Sequence, residues 1–375
     1  MTRPLSSQVP DQESAVTPLE LFFDLVFVFA VLQLSHHLVE HLSWRGAAET
    51  LVLLLAVFSV WYYTSWEAIV LGAGRTQTTR MVLAVVLLGL FMNASITEAF
   101  TTSGWVFVVP FLLIQLGRTG WTLVNAPTTL YREHYFRTVL WLLATAPLWL
   151  IGAAVGPEAR LGWWALAAGL DLVGTWQAHP IPGRRLHSEQ VGFEGGHMLE
   201  RCRLFLLIAL GETVLSTGGA IVAAPMTLLT VVTGTAALAG TVALWALGFG
   251  RAVPLILRYL EGTSDPIRTS RFAGNALTVM VAGLIAVAVA NEGVIAHPQA
   301  QPTVALSLLL FGGPVLFLLA QGWYLWTVPQ VRPRLHVAGS AALVLVGVAT
   351  LTAPPFVALI LAGATLSTLA LLDRR

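Results

Sequence analysis

The chain has 375 residues, of which 56% are hydrophobic and 10% charged. Its mean hydropathy is +0.77. A soluble domain carries about 25% charged residues, so this composition excludes a water-soluble globule and points to a bilayer as the solvent. All 20 basic residues are Arg, and they nearly balance 19 acidic ones at a formal charge of +1, which leaves no basic field for nucleic acid. Cys202 is the only cysteine, so a disulfide within the chain and a multi-cysteine metal site are both excluded.

A helix crossing the hydrocarbon core takes roughly 20 apolar residues, with every backbone polar group paired internally. Residues 1–17 are polar and lack the basic-then-apolar order of a cleaved signal, so the first helix is expected to stay attached behind a short tail. Apolar spans then follow at 18–41, 47–72, 80–101, 104–125, 137–156, 160–178, 199–223, 226–250, 270–295, 302–326, 336–351 and 354–372. The pattern predicts an all-α polytopic membrane protein of about twelve transmembrane helices. Pro354 and Pro355 leave open that the last two spans form a broken hairpin.

Arginine placement tests the count, because short cytoplasmic loops retain positive charge. With a cytoplasmic N-terminus, only Arg45 and Arg160 fall on the outer side. Both termini are therefore expected in the cytoplasm of a cell-membrane protein.

The longest polar connection, 179–198, divides the chain into a first six-helix half (18–178) and a second (199–375). Each half opens on a Leu-Glu step, at Leu19 and at Leu199, and Trp61 with Trp245 and Arg80 with Arg271 recur at comparable places. An even number of crossings per half predicts a 6+6 parallel repeat about an axis along the membrane normal.

The opening TPLELFFDLVFVFAVLQLSHHL, the second-helix WYYTSWE and the later GGHMLERCRLFLLIALGETVLSTG together resemble the bacterial low temperature requirement A (LtrA) family over nearly the whole chain. The resemblance implies a bacterial membrane function connected with growth in the cold. Where family members usually follow Glu-Arg with His or Tyr and then Gly, this chain has Cys202 and Arg203.

Ionisable groups inside spanning helices cost about 2.5–3.5 kcal/mol each at the bilayer centre, so they mark pathways or pair with one another. Glu212 is the deepest, 12 residues beyond Glu200 and so roughly 18 Å further along its helix at 1.5 Å per residue. The neighbouring Gly211, Thr213, Ser216, Thr217, Gly218 and Gly219 suggest a surface open to close backbone approach or to water. Glu20 and Asp24 share a face at i,i+4. Glu20 reads as a helix-start charge with Thr17 as cap, or as half of a paired-carboxylate site. Asp24, amid Phe22, Phe23 and Phe27, calls for a function or an Arg partner. Arg201 and Arg203 open the seventh span at the same depth, predicting a salt-bridge cluster that joins the halves, with His197 and Glu200 completing it.

The wider expectation is one cytoplasm-facing vestibule that collects Asp24, Glu67, Asp171, Glu200 and Arg201 and has Glu212 at its base. At the outer side, His37 and His41 share a face, as do His36 and Glu40, which suits a pH-sensitive pair better than zinc. Glu98 and Glu292 end the third and ninth spans on that side.

Neither a phosphate-binding GKS/T loop, nor GxSxG, nor HExxH occurs, so no cofactor and no metal site is expected. The sequence therefore points first to a secondary transporter or channel-like protein for a proton, cation or small solute, with Glu212 and Asp24 at its centre and the lipid bilayer as its partner. A membrane-embedded enzyme using Glu212 or Asp24 as general acid on a lipid or isoprenoid is the alternative, and a structural or regulatory membrane protein is the third reading.

Overall fold

The computed structural model describes residues 16–101, 104–181, 193–250, 256, 259, 263, 265–328 and 332–373. Helices α1 (Pro18–Glu40), α2 (Trp44–Leu71), α3 (Thr76–Ala94), α4 (Trp105–Asn125), α5 (Thr129–Ala154) and α6 (Pro157–Trp176) precede the long connection. Helices α7 (Gly195–Ala223), α8 (Leu228–Gly248), α9 (Pro266–Ala296), α10 (Val304–Leu325), α11 (Arg334–Ala349) and α12 (Pro355–Asp373) follow it. The expected tail through residue 15, most of the 179–198 connection, and Arg3, Arg184, Arg185, Arg251, Arg258, Arg374 and Arg375 lie outside the described residues.

Local chemistry sets the helix starts. Thr17 and Glu20 form a reciprocal capping box ahead of Pro18 in the first turn, and Ser43, Thr128, Thr227, Asp265 and Thr303 cap α2, α5, α8, α9 and α10 with their side chains. Pro110, Pro147 and Pro314 sit inside α4, α5 and α10, as spanning helices tolerate when neighbours support the freed carbonyls.

Among the described residues, ten helices are long and apolar enough to cross a bilayer. The other two are α6, with Arg160 and Asp171 within it, and α11, whose 16 residues span about 24 Å at 1.5 Å per residue, short of a ~30 Å core. The last two spans are two helices joined by a short turn, with Pro355 in the first turn of α12, where its missing N–H costs nothing. The third span is shorter than expected: α3 ends at Ala94, and residues 95–101 continue as turns closed by Ser95, Ile96 and Glu98.

The packing has a simple order. Helix α1 lies on α2 and α3, α2 on α3, α4 and α6, and successive contacts run α3 to α4, α4 to α5 and α5 to α6. Every one of these pairings recurs six helices later: α7 on α8 and α9, α8 on α9, α10 and α12, then α9 to α10, α10 to α11 and α11 to α12. The two sets meet where α1 and α2 pack on α7 and α9. Small residues let backbones approach at the tightest crossing: a Cβ on Gly283 would lie 2.5 Å from the Gly313 carbonyl, and one on Gly313 2.8 Å from the Gly283 carbonyl. The glycines around Glu212 play no such part, for a Cβ at Gly211, Gly218 or Gly219 would meet nothing within 4 Å.

Candidate functional site: a buried ion-pair network between α1 and α7

Helix α1 turns its polar side inward. Phe22 and Leu25 face out at 52% and 53% exposure, whereas Phe23, Asp24 and Phe27 are fully buried. The i,i+4 spacing that stacks Glu20 under Asp24 on α1 recurs as His197 and Arg201 on α7, and the two pairs meet face to face. Arg201 Nη2 donates to Asp24 Oδ1 at 2.6 Å, and Nη1 to Glu20 Oε1 at 3.3 Å. His197 Nε2 lies 2.9 Å from Glu20 Oε1. From α2, Trp61 Nε1 donates to Asp24 Oδ1 at 2.7 Å. The guanidinium also lies over the Phe23 and Trp61 rings at 5.3 and 5.9 Å, a cation–π arrangement worth more when desolvated.

Charge counting defines what this cluster can do. Two carboxylates oppose one guanidinium, so the site is neutral only when one proton resides on His197 or on a carboxyl. A buried net charge is costly, and several oxygens and a ring nitrogen offer places for such a proton. Asp24 Oδ2 and His197 Nδ1 are buried without partners and give that proton, or a polar ligand, additional places.

The remaining expected residues are not gathered here. Glu200 pairs with Arg203 at 2.7 Å on a partly exposed rim, so Arg203 does not join the cluster. Glu67 is fully buried against α4, where it accepts from Thr122 at 2.6 Å and Thr119 at 3.2 Å and lies 3.5 Å from Arg118 Nε. Asp171 accepts from Trp149 Nε1 at 3.0 Å. The single vestibule is therefore corrected to separate polar centres: Glu67 and Asp171 find their donors on neighbouring helices of the first half, and Glu200 finds its donor on its own helix.

Glu212 is separate as well. It is buried, accepts from Ser216 on its own helix at 2.6 Å, and leaves Oε2 without a partner. Its charged neighbours are His36 of α1 and Glu292 of α9. It lies about 16 Å along α7 from Arg201 at 1.5 Å per residue, and buried Phe205, Leu206, Ala209 and Leu210 intervene. Glu212 is thus no floor of the α1–α7 cluster but the core of a second polar level. On α1 the gap between levels is filled by Phe27, Ala30, Val31 and Leu34.

Near the far end of α1, His37 and His41 stack at 4.6 Å between ring centroids, and His37 Nε2 lies 3.3 Å from Glu49. Arg45 binds Glu49 at 2.8 Å and also Glu158. Among the described residues no three His, Cys, Asp or Glu side chains gather as a metal site requires. Arg160, the other arginine at this end, donates to the carbonyls of Ala99 at 2.7 Å, Gly152 at 3.1 Å and Val155 at 3.3 Å, tying the end of α5 to the 95–101 turns.

Two features escaped the sequence reading. Arg118 is a buried hub that donates to Val60 O, Thr64, Gln115 and Thr119. Its signal was available: an arginine seven residues before the end of an apolar helix needs an acid, and Glu67 is its partner. His179, just after α6, had none. It sits with Ala178 in the left-handed region, φ 53° and 54°, and its ring is held between Tyr63 at 3.1 Å and Thr138 at 3.3 Å. Burial, with His134 and Arg137 nearby, pushes its imidazole down to about 3.

The model of the bacterial low temperature requirement A protein (LtrA) matches residues 15–371, a range that holds both polar levels and all but the last two residues of the twelve described helices. The chain belongs to the LtrA family. A relative in Rhizobium meliloti (strain 1021), the uncharacterized protein RA0937, is 31% identical over 362 residues, covering 94% of this chain and 86% of its own. No solved structure matches the chain. This LtrA chain is accordingly a multi-span, all-helical membrane protein whose expected family resemblance holds.

Proposed function

We propose that this protein is a proton-linked secondary transporter of a small solute or ion in the cell membrane, built as two six-helix halves. The observation that carries the reading is the network of Glu20, Asp24, His197, Arg201 and Trp61, which joins the first helix of each set and holds one proton. Transporter sites commonly lie where structural repeats meet, and the recurrence of the same helix pairings six helices apart supports the division.

In this reading the Glu20–Asp24 level and the Glu212 level are two proton stations on the same pair of helices. The apolar layer of Phe27, Val31, Leu34, Phe205 and Ala209 is the barrier between them. Protonating the inner network frees Arg201 from one carboxylate and loosens α1 from α7, so that solvent reaches one station at a time. Arginine placement supports cytoplasmic termini, and with that orientation the Glu20–Asp24 level is the inner one.

The test is proteoliposomes loaded with a pH-sensitive dye and driven by a potassium diffusion potential, with a mixed pool of organic acids, amino acids, sugars and nucleosides outside. The expected result is a dye response for wild type that falls at least tenfold in Asp24→Asn and in Glu212→Gln. Wild-type responses equal to those of empty liposomes, or unchanged in both variants, would refute it.

A further inference from the structure

A second site adjoins the network on another face of α7, near the end of the bundle where α7 starts. A cavity of about 60 Å³, open on one side, lies between α7, α8, α9 and α10, with Gly250 and Ile256 also on its wall. Its lining is mostly apolar, with Leu199, Leu206, Ala273, Leu277 and Met280 among the walls, and three polar side chains interrupt it: Arg203, Gln321 and Tyr324. Gln321 and Tyr324 are 7% and 8% exposed. The Tyr324 hydroxyl, Gln321 Oε1 and Arg203 Nε all lack a hydrogen-bond partner.

Their roles are defined by what they already do. Gln321 Nε2 donates to the Leu247 carbonyl at 2.6 Å, which orients the amide and leaves Oε1 as a fixed acceptor. Arg203 gives Nη1 to Glu200 at 2.7 Å and keeps further N–H groups to offer, since a guanidinium has five. The Tyr324 hydroxyl stands within electrostatic reach of Arg203 and Cys202.

An apolar pocket with a few convergent polar groups is the usual form of a small-molecule site, and a buried polar atom left unpaired costs about 1–3 kcal/mol. The complement of two free donors and one fixed acceptor, with a cation among the donors, is an anion that brings two acceptor oxygens and one donor. A carboxylate answers Arg203 and Tyr324, and a hydroxyl on the adjacent carbon answers Gln321 Oε1. Size narrows the class further: a cavity of about 150 Å³ takes the six heavy atoms of benzene, so this smaller, open one takes the carboxylate and hydroxyl of a short acid and leaves its remaining carbon at the mouth. We propose that the α7–α10 cavity binds a short 2-hydroxy carboxylate of the size of glycolate or lactate. Binding is measured without a gradient, so the proposal stands apart from the transport reading.

Cys202, the only cysteine of the chain, is part of the cavity wall and provides the probe. The purified full-length protein in detergent is treated with methyl methanethiosulfonate, a small neutral thiol reagent, and modification is followed by intact mass. Millimolar glycolate or lactate is expected to slow modification at least fivefold, while acetate and lactamide, lacking the hydroxyl and the charge respectively, protect at least tenfold more weakly. Tyr324→Phe and Gln321→Met each weaken lactate protection at least tenfold in half-effective concentration. A ligand-induced rise in melting temperature on the Cys202→Ser protein is the parallel readout and needs no thiol. Equal protection by all four compounds, undiminished protection in both variants, or neither protection nor a thermal shift from glycolate and lactate would overturn the proposal.

Discussion

Removing Arg201 is the most informative perturbation of the α1–α7 network. Arg201→Gln deletes the 2.6 Å bond to Asp24 and the 3.3 Å bond to Glu20, leaving two buried carboxyls with one histidine. Breaking a buried ion pair from one side costs about 3–5 kcal/mol. For a chain of this size, extrapolating from about 2–4 °C per kcal/mol at 150–250 residues, the melting temperature in detergent should fall by roughly 4–8 °C. Asp24→Asn behaves differently, because Glu20 still neutralises Arg201 and the amide can accept from Trp61, so its cost is about 1–2 kcal/mol. The double variant Arg201→Gln/Asp24→Asn removes one charge of each sign and should be more stable than Arg201→Gln alone, with a coupling of about 2 kcal/mol. Thermal unfolding monitored by size-exclusion chromatography measures all four proteins side by side. If the double variant loses the sum of the two single losses or more, the three groups do not act as one network and the charge argument fails.

Other expectations follow from separate features. Gly283→Val places side-chain atoms against the Gly313 carbonyl, already only 2.5 Å from a Cβ at residue 283; it should destabilise by about 1–3 kcal/mol through overpacking, whereas Gly211→Val, with open space around it, should leave melting unchanged. Arg160→Met strands three carbonyls at the ends of α5 and the 95–101 turns and should cost about 3 kcal/mol, seen as faster proteolysis or earlier melting. Because the folded His179 imidazole is held down to about 3 and an unfolded one titrates near 6.5, its contribution is complete above pH 6.5. That contribution falls by up to about 1.4 kcal/mol per pH unit on acidification toward pH 3. His179→Gln should flatten this part of the stability–pH curve, and an unchanged slope between pH 6 and 4 would count against the assignment. Glu67→Gln leaves Arg118 without its counter-charge and should lower the melting temperature more than Arg118→Gln/Glu67→Gln together.

The length and order of the apolar runs were enough to place the twelve described helices in order and most of their ends within a few residues, with α3 ending 7 residues earlier and α5 starting 8 residues earlier than expected, because a bilayer forces each crossing to satisfy its own backbone. The i,i+4 spacing of Glu20 with Asp24, and the matching depth of Arg201, announced an ion-pair cluster for the same local reason: along one helix, spacing alone says which side chains share a face. Which acid meets which donor is a question about neighbouring helices, and there hydropathy is silent. Glu67 turned to Arg118 and Asp171 to Trp149 because the lateral order of the bundle set those faces side by side, whereas Glu200 met Arg203 and Glu212 met Ser216 along their own helix. Lateral order depends on crossings such as Gly283 on Gly313 and on turns such as the left-handed pair Ala178–His179, which leave no periodic trace. One-dimensional pattern thus determined the crossings and their polar faces, while only three-dimensional packing decided that the charges form two levels with an apolar layer between them.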